Sequence, residues 1–372
     1  MAIKVGIIGM GGIGNTHARC YKADPLAELV CVCDVNKERA DKAAEEHGVK
    51  AFYSQDEMMK AHPELDFIDV TTSGYDNGSW HYEPVMKALD AGYNAFVEKP
   101  ISNNADEARE MVVTAAKKGL YLGCNLNHGF TKPADKAMEL VKDGKIGAPV
   151  YILHKVGFNS GEKNYTAPGF HEGTTYPRMD GPYSHAYAFL SHPFSLMRKF
   201  GGDITHVQAF FDKPGTRKSA DDLMWSINGI NCKFQNGSIG YLLSQRGDAF
   251  FGLGGWWSFE MAGTRGTFCI ENCVEKLYYW DAAKKNSNMG TPKPKVFDFK
   301  EKSFGLTFAN RLHAFLEDMT NKVPPEHIRS SGRDALATLE YTVAAINSFE
   351  NGGELVRPRA LPPIHGTPGY IK

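Results

Sequence analysis

The stretch "GIIGMGGIGNTHA", residues 6–18, decides the fold of this chain. It continues an apolar run typical of a strand and places Gly9, Gly11 and Gly14 in a G-x-G-x-x-G spacing where a helix begins. The first glycine permits a tight turn, the second lets the backbone approach a pyrophosphate, and the third allows close helix–strand packing. The stretch therefore predicts a dinucleotide-binding turn, and we expect His17, further along the helix, to be a packing or capping residue.

A carboxylate ends the second predicted strand, "ELVCVCD". Asp34 follows Gly14 by 20 positions, where it can accept hydrogen bonds from both ribose hydroxyls of the cofactor. Its charge repels a 2′-phosphate and favours NAD over NADP, although Lys37 and Arg39 nearby soften that preference. The predicted cofactor contacts from this region are Gly9, Gly11, Gly12, Ile13, Gly14 and Asp34.

The chain changes in character near residue 125. Up to that point apolar strands alternate with helical segments, which is the βαβ rhythm of a doubly wound parallel sheet. Beyond it, strand-like segments such as "VYILHKV" and "SIGYLLSQ" predominate, and "QNG" at 235–237 indicates a hairpin. We therefore predict an α/β Rossmann domain over 1–125. A substrate-binding and oligomerisation domain of the α+β class, built on a large, mainly antiparallel open sheet, is expected over 126–372.

The second sheet has predicted helices for one face only. We expect strand residues such as Ile227, Ile230, Leu242 and Phe259 to leave an apolar patch on the other face. An exposed patch of this kind favours self-association. The sequence therefore predicts a homo-oligomer, a dimer or higher.

Composition restricts the class of protein. The 372 residues are 42% hydrophobic and 23% charged with a net charge of −1, so the basic surface that nucleic acid binding requires is not expected. No apolar run approaches the length of a membrane span, and "MAIKVGIIG" begins a strand directly, so we expect a cytoplasmic protein. The seven cysteines form no C-x-x-C pair and no zinc spacing, so structural thiols and no metal site are expected.

The stretch "AFVEKP", residues 95–100, ends a buried strand in two charges. Pro100 restricts Lys99 to an extended backbone conformation and removes one ladder donor. The strand therefore stops with Lys99 at its rim, beside Glu98.

The glycine fingerprint, the "EKP" at a strand end and the antiparallel second half together resemble the Gfo/Idh/MocA family of sugar and cyclitol oxidoreductases. "FEMAGTRGTFCIE" and "ENGGELVRP" are similar to that family's later segments, so the resemblance covers nearly the whole chain. It implies that Lys99 reaches the nicotinamide and the substrate, with Glu98 beside it. It also implies that Thr72, Ser73 and His81 border the cofactor.

One departure from the family pattern concerns the substrate domain. Many members carry an Asp-x-x-x-His pair; in "GPYSHAYAFLSHPFSLMRKFGG" His192 matches the histidine, but Ala188 replaces the aspartate. Asp180, Tyr183 and His185 are candidates to take its place. The chain also has His128 where an arginine is more usual.

Oxidation of a secondary alcohol needs a hydride acceptor, a base and a group that holds the oxygen. We assign the base to His192, because histidine titrates near working pH, and the oxygen-holding role to Lys99. The long segment from 155 to 187 is rich in glycine and aromatic residues and is expected to contact the substrate, although a solvated surface loop is an alternative. The predicted substrate contacts are Tyr165, Arg178, Asp180, Tyr183 and His185.

The predicted activity is an NAD(P)-dependent dehydrogenase that transfers hydride between a secondary hydroxyl of a sugar, glycoside or cyclitol and the nicotinamide. Two alternatives remain from the sequence. One is a glycosidase that uses NAD for transient oxidation and elimination, and the other is an inactive cofactor-sensing regulator. The intact "EKP" argues against the regulator.

Overall fold

The computed structural model describes residues 2–72, 74–75, 78–159, 182–213, 224–247, 255–282 and 293–363. The chain forms two compact units, one of Met1–Asn127, Phe308–Leu339 and Ala360–Lys372, the other of His128–Thr307 and Glu340–Arg359. The predicted boundary at 125 lies close to the first break between them. The return of 308–339 to the first unit was not predicted from the sequence.

The first unit contains a six-stranded parallel sheet in the order β3-β2-β1-β4-β7-β8, and the short β5 and β6 pair with each other. The strands are β1 (Ile3–Ile8), β2 (Ala27–Cys33), β3 (Lys50–Phe52), β4 (Phe67–Val70), β5 (Gly74–Tyr75), β6 (Gly78–Ser79), β7 (Asn94–Val97) and β8 (Leu122–Cys124). The helices are α1 (Gly12–Ala23), α2 (Lys37–His47), α3 (Gln55–Ala61), α4 (Tyr82–Asp90) and α5 (Ala105–Lys118). The order of strands reverses between β1 and β4, which is where such sheets bind ligands.

The second unit contains an eight-stranded sheet in the order β10-β11-β12-β9-β13-β14-β15-β16. Its strands are β9 (Pro149–Asn159), β10 (Ile204–Asp212), β11 (Ile227–Phe234), β12 (Ile239–Gly247), β13 (Trp257–Gly263), β14 (Gly266–Glu271), β15 (Lys276–Asp281) and β16 (Lys295–Asp298). Among the described strands of this sheet, β12 and β9 alone pair in parallel, which confirms the mainly antiparallel prediction. The hairpin at "QNG" is also confirmed, with Gly237 at a φ of +90°.

The remaining helices are α6 (Lys132–Lys142), α7 (Ser184–Phe189), α8 (Ser191–Gly201), α9 (Leu306–Thr320) and α10 (Gly332–Glu350). In the first unit, α9 adds Leu312, Phe315 and Leu316 to the core beneath the parallel sheet. Arg311 of α9 is fully buried, and its Nε donates to the Cys124 carbonyl over 2.9 Å. This helix therefore completes the first unit, although it lies far along the chain.

Three of the four residues predicted to form an apolar patch fall on the other face of the second sheet, and the fourth, Ile227, is partly buried. Ile230, Leu242 and Phe259 are each 0% exposed, because they lie on the side that the helices cover. Strand neighbours point to opposite faces, so a set of residues chosen from the alternation can belong to either one. The exposed hydrophobic residues of these strands are instead Val150, Leu153, Phe210, Ile239, Tyr241 and Val296. Within the described residues, no helix has the length and apolar character of a membrane span.

Candidate cofactor and substrate site

The glycine turn after β1 requires glycine at two positions. Gly9 has a φ of +95°, and a Cβ added there would lie 2.7 Å from the Thr72 backbone nitrogen. A Cβ on Gly14 would lie 2.1 Å from the Gly9 carbonyl oxygen. A Cβ on Gly11 would meet no atom within 4 Å, so this residue borders open space. The turn therefore combines close packing on one side with room for a ligand on the other.

The N-terminus of α1 is suited to an anion. Gly11 occupies its N-cap, and among the described side chains none caps it and no acidic residue lies in its first turn. The first N–H groups of a helix have no partner within the helix and carry partial positive charge, which suits a pyrophosphate. Asn15 holds the turn by donating to the Gly11 carbonyl over 2.9 Å, and Thr71 donates to the Gly9 carbonyl over 2.6 Å.

Asp34 lies at the end of β2, 4% exposed. Its Oδ2 accepts the Met10 N–H over 2.8 Å and its Oδ1 accepts the Asn36 N–H over 2.9 Å, so the carboxylate is fixed beside the glycine turn. Arg39 Nη1 lies 3.5 Å from Oδ2. Asp34 therefore lies against the Arg39 guanidinium, which could otherwise favour a 2′-phosphate at this edge.

Val35, which follows Asp34, is an exposed hydrophobic residue that the sequence analysis did not include among the predicted cofactor contacts. Val35 is 90% exposed, although large aliphatic side chains rarely lie so far in solvent. Ile13, a predicted cofactor contact, is 41% exposed. The sequence feature that could have identified Val35 is its position directly after Asp34, the acidic residue of the dinucleotide motif.

His81 braces two backbone segments. Its Nδ1 contacts the Pro100 carbonyl over 2.7 Å, and its Nε2 contacts the carbonyl of Thr72, whose hydroxyl donates to the Trp80 carbonyl. Burial lowers the pKa of His81 and is the largest cause, while the two carbonyl oxygens favour the protonated ring. His81 thus links the end of β4 to the end of β7. Of the other predicted cofactor contacts in this region, Ser73 lies outside the described residues.

Lys99 lies two residues after the last residue of β7 and is half-buried. Its backbone N–H donates to Glu98 Oε2 over 3.0 Å. Glu98 is only 6% exposed and points into the first unit, where His17 and Asn125 contact its other oxygen. The sequence did not predict this inward orientation, and His17 does more than pack or cap.

In the second unit, His192 of α8 stacks on His128, with ring centroids 3.8 Å apart and planes at 3°. His192 is 7% exposed. The Trp257 indole donates to His128 Nδ1 over 3.1 Å, and since that N–H cannot accept, the contact assigns the proton of a neutral His128 to Nε2. His192 therefore rests on a neutral imidazole plane.

The other predicted substrate contacts are divided by the structure. His185 of α7 is buried, with Nε2 3.0 Å from Ser244 Oγ, and Tyr183 donates to Glu350 Oε1 over 2.7 Å. Burial and Glu350 raise the pKa of the Tyr183 hydroxyl. Tyr165, Arg178 and Asp180 lie outside the described residues. In the part of the chain that is described, no group of three His, Cys, Asp or Glu side chains is arranged to hold a metal ion.

Comparison with known proteins agrees with this geometry. A model of the oxidoreductase family with an NAD-binding Rossmann fold matches residues 3–126. The myo-inositol 2-dehydrogenase of Thermotoga maritima is 30% identical over 356 residues, which cover 94% of this chain and 96% of that protein. The chain belongs to this oxidoreductase family. The family assignment confirms the predicted resemblance and the NAD-binding Rossmann fold of the first part of the chain.

Other relatives match a shorter part of the chain. The D-glucoside 3-dehydrogenase of Escherichia coli K12 is 32% identical over 151 residues, 40% of this chain and 42% of that enzyme, so the chain matches less than half the length of several curated relatives. Levoglucosan dehydrogenase, solved with NADH and L-sorbose, superimposes with a TM-score of 0.81 at 16% identity, over 96% of this chain and 100% of that one. At this identity the likeness concerns the fold.

Alanine substitutions at Gly14 and Gly11 should have different effects, the first on stability and the second on NAD affinity. Gly14→Ala should destabilise the protein without cofactor by several kcal/mol, because its Cβ meets a backbone oxygen that cannot move aside. Gly11→Ala should leave the melting temperature nearly unchanged but weaken NAD at least about tenfold, because the methyl group enters the cofactor's space. Thermal denaturation and NAD titration separate the two effects, and equal NAD affinity in Gly11→Ala and the parent protein would contradict the placement.

The carboxylate of Asp34 should set the cofactor preference. Asp34→Ser is expected to weaken the binding of NAD by about 1–3 kcal/mol and to reduce the difference in affinity between NAD and NADP. Adding Arg39→Ala to this variant should widen the gap again, because Asp34→Ser frees the guanidinium for a 2′-phosphate. Both affinities are measurable by quenching of protein fluorescence, and a ratio unaffected by Asp34→Ser would exclude the assignment.

Proposed function

We propose that this protein is an NAD-dependent dehydrogenase that oxidises a secondary hydroxyl of a sugar, glycoside or cyclitol. The observation that carries the proposal is Lys99 at the carboxyl end of β7, beside β4 and next but one to β1 of the NAD-binding sheet. In parallel sheets ligands bind outside the carboxyl ends of the strands, at the point where the strand order reverses. The names of the relatives, an inositol dehydrogenase and a glucoside dehydrogenase, support the substrate class.

The proposed chemistry divides between the two units. Lys99 holds the reacting oxygen and takes part in proton relay, and His192 accepts the hydroxyl proton as the hydride passes to the nicotinamide of bound NAD. His128 supports the base by stacking, since a neutral ring adds no positive charge beside an imidazole that must take up a proton. Tyr183 and His185, with Tyr165, Arg178 and Asp180, are proposed to contact the sugar hydroxyls.

A panel of hexoses, glycosides and inositols tests the proposal by NADH absorbance. NADH that accumulates in proportion to the substrate consumed supports a dehydrogenase. Substrate loss without NADH points instead to the redox-neutral glycosidase. NAD binding with no turnover of any member of the panel points to a regulator.

The proposed catalytic pair predicts a loss of turnover without loss of cofactor. Lys99→Met should abolish measurable activity, and His192→Ala should lower kcat by about 10²–10⁴, while both keep NAD affinity within about tenfold. Lys60→Met on the exposed side of α3 and His206→Ala on β10 serve as matched controls that should retain activity. If NAD affinity falls together with activity, the residue has a structural role.

We also propose that two copies associate through the open face of the second sheet. This face carries a cavity of about 650 Å³ whose lining includes Leu153, Tyr241, Tyr278 and Trp280 together with the charged Lys155, Glu260 and Glu271. Leu153 is 46% exposed and Tyr241 41%, which is the kind of surface that self-association covers. The cytoplasmic location remains a prediction from the sequence.

Substitution on that face should change the oligomeric state. Leu153→Glu combined with Tyr241→Lys is expected to give a monomer in light scattering at micromolar concentration, because charged groups resist burial at an apolar interface. Leu355→Glu, at a 58% exposed position outside the sheet, is the control and should remain associated. A parent protein that is itself monomeric would refute the interface.

A further inference from the structure

His17 lies between two buried carboxylates in the first unit. Its Nδ1 is 2.8 Å from Asp69 Oδ2 on β4, and its Nε2 is 3.1 Å from Glu98 Oε1 at the end of β7. The histidine and Asp69 are fully buried, and Glu98 nearly so. The sugar-oxidation chemistry proposed above uses neither His17 nor Asp69.

Each ring nitrogen of His17 faces a carboxylate oxygen, and Nε2 also lies 3.2 Å from the Asn125 amide nitrogen, which itself donates to Glu98 Oε1. A neutral imidazole has one N–H and could donate to only one of the two carboxylates, whereas an imidazolium donates to both, so the two anions favour the charged ring. Burial lowers the pKa of His17, but Asp69 and Glu98 together outweigh it and raise the pKa to about 10. The ring is therefore a buried cation at neutral pH.

Glu98 depends on this cation. Burial raises the pKa of Glu98, whereas its hydrogen bond to His17, the charges of His17 and Lys99, and the Asn125 amide lower it, and the lowering effects prevail. Glu98 Oε2 accepts the Lys99 backbone N–H over 3.0 Å. The carboxylate thus fixes the lysine backbone, and the charges of Glu98 and Lys99 interact.

We propose that His17 is a positioning residue that keeps Glu98 ionised and directed at Lys99, so that Lys99 remains an ammonium beside the nicotinamide. The inference rests on the proposed role of Lys99 in sugar oxidation. Four charges then alternate from the interior to the strand end: Asp69 negative, His17 positive, Glu98 negative and Lys99 positive.

The other titratable groups near these four do not replace His17. Burial and, next in size, the charge of Asp69 raise the pKa of Tyr21. Burial and, next in size, the charge of Glu98 raise the pKa of Cys124, so both side chains are neutral at pH 7. Burial lowers the pKa of His81, which faces Glu98 and Lys99. Arg311 is a cation, but its hydrogen bonds go to the carbonyls of Cys124 and Ser330.

The surroundings of His17 exclude water from the ion pairs. The rings of Tyr21, Phe96 and Phe308 surround the imidazole with centroids 6.1–6.4 Å away. Low polarity strengthens a satisfied ion pair and makes a lone carboxylate costly. Removal of His17 should therefore protonate Glu98 rather than leave its charge bare.

The experiment compares pH profiles of kcat for two variants that remove different charges. In His17→Gln, Glu98 should ionise only at higher pH, so activity is present at about pH 9 and falls at least about tenfold as pH drops toward 6. In Asp69→Asn, His17 keeps Glu98 as an anionic partner, so Glu98 should stay ionised and the loss of activity toward pH 6 should be smaller than in His17→Gln. A purely structural defect would lower kcat by one factor at every pH.

Replacement of Glu98 identifies the titrating group. In His17→Gln/Glu98→Gln the new acid limb should vanish and leave a low, flat profile in that range, whereas a limb that persists would assign the titration to another group and overturn the proposal. The single variant Glu98→Gln should behave as the double variant does, since His17 then has no carboxylate to hold at Lys99.

A spectroscopic measurement separates this inference from the proposed activity. The ¹⁵N NMR shifts of the His17 ring, assigned by their loss in His17→Gln, should be those of a doubly protonated imidazole at pH 8, whether or not any sugar is turned over. A neutral His17 at that pH would overturn the inference and leave the dehydrogenase proposal intact. If no sugar in the panel is turned over but His17 is doubly protonated, the dehydrogenase proposal fails and the inference about the His17 charge stands.

Discussion

The close approach of Gly14 to the Gly9 carbonyl oxygen sets the position of α1 against the end of β1. Because Gly14 has no Cβ, α1 can begin against the end of β1 with its open N-terminus facing the cofactor space. His17 follows one helical turn later and so lies on the same side of the helix as Gly14. The close contact therefore carries the imidazole to the carboxylates on β4 and after β7, and one glycine serves both the anion site and the buried ion pairs.

Much of the fold follows from local pattern. The glycine spacing, the carboxylate of Asp34 and the lysine of "EKP" lie at fixed offsets from strand ends, and strand ends are what apolar runs reveal. The glycine turn and Lys99 could therefore be placed at one edge of the parallel sheet from the sequence. NAD was predicted from the same residues, because the charge of Asp34 disfavours a 2′-phosphate. The structure places the Asp34 carboxylate against the glycine turn, where Oδ2 accepts the Met10 N–H.

Other features depend on contacts between residues far apart in the chain. The partners of His17 come from two different strands, and a lone histidine on a helix gives no sign of them; the one local signal was Asp69, a charge within the buried strand "FIDV". The return of α9 to the first unit rests on Arg311 and Phe315, which an amphipathic pattern does not assign to either sheet. The exposed face of the second sheet was misassigned because alternation defines two faces and leaves open which one the helices cover.

The two histidine arrangements solve different electrostatic problems. His192 must accept a proton in the proposed reaction, and its neighbour His128 is neutral because Trp257 donates to it. His17 must never release a proton, and both of its neighbours are anions. Near a positive nicotinamide, Lys99 would tend to lose its proton unless an anion lay beside it, and a buried Glu98 would tend to gain one unless a cation lay beside it. Each charged group, from Lys99 through Glu98 to His17, is thus stabilised by the oppositely charged group that lies deeper in the unit. The series ends at Asp69 in β4, between β1 and β7. A lysine at a strand rim can in this way hold a substrate oxygen because its charge is fixed from inside the sheet.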